Sequence, residues 1–496
     1  MSDKNQNGPA PFSPENRAHI FGQEAAEKED KIRFREYFFK NRAFESVSSD
    51  LPLRILVGQK GIGKSALLRM CALEDETNGV ITIKLTPDDT FDKIATTNSK
   101  IAMTKAWKEN LTDLIFHKVI ETLAAPSEHE TTRSFQYKKF GSDAASAVMG
   151  FFKHTKSDFF DAAKLPIIKN FIEREKIRIY IDDLDRDWTG DQLGVDRISA
   201  LLIAISDLTI ESRTLQFRIG LRSDIFYRVS TQEDTIDKIE TSIVRLTWTN
   251  HEILTVLAGR IQTYLGHDID LKRTGELRQH QIAGYLDAFF EDRFKGEGVW
   301  SNIPMYRALL SFVRARPRDL ILLCHAAAER ADLDGAHRIS SDHIRAILPE
   351  YSRKRLNDIV VEFRSELSNV RELLEEMRPF KKEKTTLQSY SYTTDQLISK
   401  LNNIVSRKNF IFSYGKAATS QDLLRFLFRV NFITARKRDA ENYIVRKYFE
   451  EGEAIYNQIQ VGGWEWEVHP AYRWALQPES PDGMFTLLVP TSDNDE

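Results

Sequence analysis

The stretch LRILVGQKGIGKSALLRM restricts the possible fold more than any other part of this chain. An apolar, β-branched run from Leu53 to Val57 leads into a glycine-rich turn, and a helix-compatible run follows from Lys64 to about Met70. Gly58, Gly63, Lys64 and Ser65 meet the spacing G, four residues, G, K, S/T of a phosphate-binding loop. In such a loop successive backbone N–H groups turn inward to phosphate oxygens, and glycines permit the close approach and the unusual dihedrals. The pattern assigns phosphate contact to Gly58, Gly61, Ile62, Gly63, Lys64, Ser65 and Ala66. The Lys64 ammonium falls on the β/γ-phosphates and the Ser65 hydroxyl on Mg2+. A bare glycine turn ahead of a helix is the simpler alternative, and the flanking strand and helix weigh against it.

Four more strand candidates follow: Val80–Leu85, Ile177–Ile181, Gln216–Leu221 and Ile243–Trp248. Helical stretches separate them, including one from about Asn98 to Glu175 with Trp107, Leu111, Leu114, Ile115 and Val119 at helical spacing and an insertion-like SEHETTRSFQYKKFGSD. Five strands alternating with helices imply a mostly parallel sheet covered on both faces, with ligand at the carboxyl ends of the strands. Ile177–Ile181 runs into Asp182 and Asp183. Acids at the end of an apolar strand, downstream of a phosphate loop, predict that Asp182 holds Mg2+ through its water shell and that Asp183 sits beside the attacking water. Gln216–Leu221 ends in Arg222, a candidate γ-phosphate sensor whose plainer alternative is an ion pair with Asp224.

A chain of 496 residues is too long for one ordinary core. The pattern divides it into a flexible lead at 1–20, an α/β P-loop NTPase core at 21–250, a helical lid at 251–350, a long helix and linker at 351–392, a winged-helix module at 393–478 and an acidic tail at 479–496 whose end, TSDNDE, reads as disordered. In the lid, RARPRD alternates Arg314, Arg316 and Arg318 around Pro317. A lid closing over a nucleotide would use a basic residue at such a helix start, Arg316 or Arg318, whereas a solvated turn is the alternative. Apolar residues from Leu356 to Met377 predict one long amphipathic helix. In the last module Ser420 caps a helix, and Ile459–Val461, Gly462-Gly463 and Trp464–Val468 read as a two-strand ribbon with an acidic outer face of Glu465 and Glu467. ARKRDAENYIVRK is the basic cluster nearby and reads as a solvated face.

Lys and Arg total 70 against 73 Asp and Glu, so any nucleic-acid contact would need a local patch. Two distant cysteines, Cys71 and Cys324, imply no disulfide framework and fit a reducing cytoplasm. The first residues lack the basic start and apolar core of a signal peptide, and no apolar run approaches a bilayer span, so a membrane location is not expected.

On GQKGIGKS and IYIDDLDR, supported by GLRSDIFYRV, RPRDLILLC and WEVHPAYRWAL, the chain resembles the STAND and KAP-like group of bacterial P-loop ATPases, relatives of initiator-type AAA+ proteins, from about Phe21 to Leu476. The resemblance implies a core ATPase, a helical lid and a winged helix that folds back on ATP or ADP with Mg2+. It also implies that His469, directly after the last winged-helix strand, touches the β-phosphate of ADP; capping ahead of Pro470 is the alternative. Homo-oligomers, a separate effector protein and a place in stress or antiviral defence are implied in the same way. KAP-type membrane spans and an ABC-type signature are missing between the two motifs, and Arg186, Arg228 and Arg245 stand unranked as arginine fingers. The leading expectation is a nucleotide-controlled ATPase switch or assembly ATPase. Its rival is a DNA-binding winged-helix regulator or scaffold with a structural nucleotide.

Overall fold

A computed structural model describes residues 11–23, 26–86, 99–124, 174–184, 186, 188, 190–232, 239–379, 390–451, 455, 463–477, 484–485 and 488–492. The insertion-like segment 127–143 and the proposed strand 459–461 lie outside them. The chain forms two compact units, one of residues 41–60 and 64–246, the other of residues 1–40, 61–63 and 247–496.

The first unit is built on five parallel strands: β1 (Leu53–Gly58), β2 (Ile81–Leu85), β3 (Ile177–Ile181), β4 (Leu215–Arg222) and β5 (Ile243–Arg245). Their order across the sheet is β2-β3-β4-β1-β5, so β4 lies between the strand of the glycine loop and the strand that ends in acids. All five residues of β3 are buried, which explains its unbroken apolar reading apart from Arg178. Ile177, Ile179 and Ile181 join a core with Met103, Trp107 and Leu201 from the helices Lys100–Ala124 and Gln192–Glu211. Trp107 Nε1 donates to Arg197 O (3.1 Å), and Asp191 caps the second helix by accepting Gly194 N–H (2.8 Å). Arg178 and Tyr180, two residues apart and therefore on one face, both bond Asp75 of the helix Lys64–Thr77. That helix is thus tied to β3 by a buried carboxylate. Cys71, one turn earlier, is a free buried thiol that burial pushes up to about 12.

In the second unit the helix Pro14–Phe21, capped by Ser13, packs on the helices Asn250–Tyr264 and Pro317–Leu333. Phe12, Ile20 and Phe21 are fully buried, and Phe21 meets Phe290 and His325 edge-on. The lead is therefore ordered from Phe12, and residues up to 40 belong with this unit rather than with the sheet. A hairpin of β6 (Arg293–Lys295) and β7 (Ser301–Pro304) precedes the helix Met305–Ser311. The expected long helix is two: Ser341–Phe363, with Pro349 inside it, and Val370–Glu376. The break arises because Leu367 leaves the helix to pair with Phe412, and Ser413 N–H donates to Glu366 O (2.8 Å).

The last module carries the helices Thr394–Arg407 and Ser420–Arg429, the latter capped by Thr419 rather than Ser420. Its four-stranded sheet has the order β10-β9-β11-β8, from β8 (Ser391–Tyr392), β9 (Ile433–Arg438), β10 (Ile444–Lys447) and β11 (Glu465–Val468). The hairpin of this module is β9–β10, drawn from the ARKRDAENYIVRK segment read as a solvated face. Its turn includes Asn442 at φ 67°. β11 pairs with β9 and β8. Part of the expected disordered tail is packed as well: Thr491 N–H donates to Ser311 Oγ (2.9 Å) and Ser492 N–H to Ile444 O (3.0 Å).

Candidate functional site

The glycine loop starts where β1 ends, and the sheet brings its neighbours to it. Parallel pairing sets Gly58 opposite Arg222 at the carboxyl end of β4. Gly61 and Gly63 hold φ values of 77° and 108°, which L side chains seldom adopt, so these two glycines are required by the turn itself. Lys64, the first residue of the following helix, curls its ammonium over the loop and donates to Gly58 O (2.9 Å) and Gln59 O (3.0 Å). The two carbonyls hold the charge at the start of the loop. Ser65 and Ala66 follow in the first turn, both half-buried.

Asp182 leaves the end of β3 and lies across Gly220 of β4. A Cβ at Gly220 would run into Asp182 Oδ1 and press on Leu68 Cδ1, so with any other residue here the carboxylate would have to move from this position. Asp183 is exposed and sits at φ 56°, in the left-handed region, while its carbonyl accepts Arg186 N–H (2.9 Å). A non-glycine residue held there costs about 1 kcal/mol or more, a strain typical of functional turns. Half-buried Asp182, at the carboxyl end of a parallel strand, suits a hydrated divalent cation. Among the described residues no group of three or more His, Cys, Asp or Glu side chains is gathered as a metal site, so any ion here would rest on Asp182 with hydroxyl, water or phosphate oxygens.

Arg222 is buried and grips Asp224 with two hydrogen bonds, Nε to Oδ1 (3.0 Å) and Nη2 to Oδ2 (2.8 Å). The ion-pair alternative is therefore present at the position of the candidate sensor. Arg228 donates to Gly190 O and lies over Trp188, and Arg245 lies over Phe226.

The tip of the loop, Gly61–Gly63, belongs to the second unit. Trp248 Nε1 donates to Ile62 O (2.7 Å), a pin on the loop that the sequence reading missed because the indole sits just past β5. A Cβ at Gly61 would lie 3.3 Å from Arg318 Cδ, so exposed Arg318 reaches the loop tip from the start of its helix. Its neighbours in RARPRD do not form a solvated turn. Arg314 is buried and bonds both oxygens of Asp319 (2.5 and 2.8 Å), whose other partner is Arg355 (3.0 Å). These arginines hold the Asp319 carboxyl far below the usual carboxylate range despite its burial. Arg316 is buried too, and burial with the adjacent Arg314 charge lowers its guanidinium from the ordinary value.

His469 is fully buried. Its Nδ1 accepts Ala471 N–H (3.1 Å), capping the helix Pro470–Leu476, and its Nε2 meets Tyr448 OH (3.0 Å), which donates on to Val313 O (3.3 Å). Burial, then Arg446, pushes it well below the ordinary histidine value, so it is neutral. The capping alternative is therefore present at His469, with both ring nitrogens hydrogen-bonded. The acidic ribbon face is corrected. Glu467 is buried and bonds Arg446 (2.7 Å), Arg473 (2.6 Å) and Arg436 (3.4 Å), which hold its carboxyl down to about 2.

The first unit has the P-loop α/β fold. A family model described as FunZ-associated C-terminal helical domain matches residues 273–360, within the helical second unit. The chain is 23% identical over 334 residues to the putative transposon gamma-delta 80.3 kDa protein of Escherichia coli (strain K12), an alignment covering 64% of this chain and 43% of that protein. It thus spans less than half the length of this curated relative. Among solved structures, the Aeropyrum pernix ORC2 protein in its ADPNP-ADP complexes aligns over 92% of this chain and 98% of that one, with a TM-score of 0.41 and 12% identity. Cdc6p from Pyrobaculum aerophilum aligns over 89% and 97%, with a TM-score of 0.33 and 10% identity. The Thermotoga maritima RuvB Holliday junction branch migration motor aligns over 85% and 92%, with a TM-score of 0.31 and 13% identity. Among the described residues, no helix is long and apolar enough to cross a membrane.

Proposed function

We propose that this protein binds ATP with Mg2+ at the Gly58–Ala66 loop and hydrolyses it, as an AAA+-related switch or assembly ATPase. The observation that carries the reading is the juxtaposition at the strand ends: the glycine loop with Lys64 over its carbonyls, and Asp182 lying over Gly220 on the intervening strand. Lys64 and the loop N–H groups would hold the phosphates, and Ser65 with Asp182 would hold the metal, which supplies charge neutralisation when bound. Asp183, exposed at the strained turn, would orient the attacking water. Arg222 would act as sensor by exchanging part of its grip on Asp224 for a γ-phosphate oxygen. Of the two lid candidates we assign the loop contact to Arg318, because its stem lies beside Gly61 while Arg316 is buried. Homo-oligomer formation and a separate effector partner belong to the same reading.

The DNA-binding rival draws less support. Arg436 and Arg446, central to its basic cluster, are engaged by Glu465 and Glu467. The test is ATP turnover by the 496-residue chain beside Lys64→Ala. Loss of turnover in the variant, with an unchanged unfolding temperature, is expected; equal turnover overturns the assignment. Native mass spectrometry with and without a non-hydrolysable ATP analogue reads bound nucleotide and stoichiometry together.

A further inference from the structure

The helices Pro317–Leu333, Ser341–Phe363 and Val370–Glu376 of the second unit border a cavity of about 680 Å3. Six cationic side chains line it against two carboxylates, Asp358 and Glu375, in a chain whose formal net charge is −3. Five of the six, Arg318, Arg353, Lys354, Arg371 and Arg378, are exposed, and the sixth, Arg355, is buried on Asp319. Arg353 and Lys354 share the single carboxylate of Glu350. Arg371 donates to a neutral acceptor, Asn357 Oδ1 (2.8 Å). Leu322, Leu356 and Ala475 add an apolar stretch to the wall. No residue from Gly58 to Ala66 lines it.

A concave volume of this size with an apolar wall and a surplus of arginine forks suits a ligand that carries both a ring and several phosphates. We propose that the cavity is a second anion site for a small phosphate-rich ligand of the nucleoside polyphosphate class, separate from the glycine loop. Nucleic acid suits it less well. Asp358, Glu375 and Glu350 interrupt the basic surface, whereas a phosphate backbone calls for a continuous basic stripe. Arg318 both lines the cavity and lies beside Gly61, which gives occupancy a route to the loop.

The test uses the 496-residue Lys64→Ala chain titrated calorimetrically with tripolyphosphate, then with ATP. One tripolyphosphate per chain is expected, bound more weakly as salt rises, and bound roughly tenfold or more weakly after the exposed changes Arg371→Glu and Arg378→Glu. Arg371→Lys with Arg378→Lys should keep most of the affinity, and Arg371→Gln with Arg378→Gln serves if the charge reversals lower the unfolding temperature. Tripolyphosphate binding that is absent, or that is indifferent to all these changes, overturns the proposal. So does binding of a DNA duplex that these changes abolish while tripolyphosphate is not bound. The ATPase reading fails on a different result, turnover insensitive to Lys64, so the two can be told apart.

Discussion

At the ends of β1 and β3 in the first unit, charged groups are left partly open: Lys64 on two carbonyls, Asp182 half-buried over a glycine, Asp183 exposed at a positive φ. In the second unit the strongest charges are closed in on one another, Glu467 among Arg446, Arg473 and Arg436, and Asp319 between Arg314 and Arg355. The first arrangement keeps charge near solvent, where a ligand can take it over. The second uses charge as internal structure, each carboxylate held by two or more arginines inside the fold. A local excess of arginine in the sequence therefore carries two opposite meanings, and burial decides between them.

Breaking the closed cluster should have the largest effect. Glu467→Gln leaves Arg446 and Arg473 buried beside a neutral group and should cost about 3–5 kcal/mol in denaturant unfolding of the full chain. The same carboxyl gives the pH dependence. Its folded value of about 2 lies below the ordinary 4.5, so its stabilisation is complete above about 4.5 and is lost as pH falls towards 2. Glu467→Gln should flatten the unfolding curve across that window, and an unaltered acid limb would contradict the assignment.

Breaking the open cluster should leave stability alone and remove chemistry. Asp182→Asn is expected to shift unfolding by under about 1 kcal/mol while lowering ATP turnover by roughly 10²–10³-fold. A stability loss equal to that of Glu467→Gln would erase the distinction between the two clusters. Gly220→Ala sharpens it from the other side. The added methyl meets Asp182 Oδ1, so about 1–3 kcal/mol of stability and Mg2+-dependent ATP binding should fall together. The smallest effect is expected for Asp183→Gly, which relieves the positive φ: a stability gain of up to about 1 kcal/mol with slower turnover.

Much of the first unit was legible because its signals are local. β3 was read to the residue, since a fully buried parallel strand must be apolar along its length apart from partnered exceptions such as Arg178. The loop was legible because its glycines answer to their own φ values. The second unit was read less well. The helix expected over Leu356–Met377 is interrupted because Leu367 finds a backbone partner about 45 residues on, at Phe412. Glu465 and Glu467 looked like a solvated edge, yet the partners that bury Glu467 come from β9, β10 and the helix after β11. Trp248 carried no motif at all, and its role exists only because the fold places Ile62 O against its indole.

The sequence by itself determined the glycine loop between strand and helix, the strand that ends in Asp182 and Asp183, and the alternation that makes a parallel sheet, because each depends on dihedral and periodic preferences within a few residues. Tertiary structure alone decided that β4 separates the loop strand from the acidic strand, that Gly220 clears room for Asp182, and that Arg318 rather than Arg316 stands beside the loop. It also decided that His469 caps a helix and meets Tyr448. The physical reason is common to all four: burial, and the charge and hydrogen-bond partners that come with it, are set by segments far away in the chain.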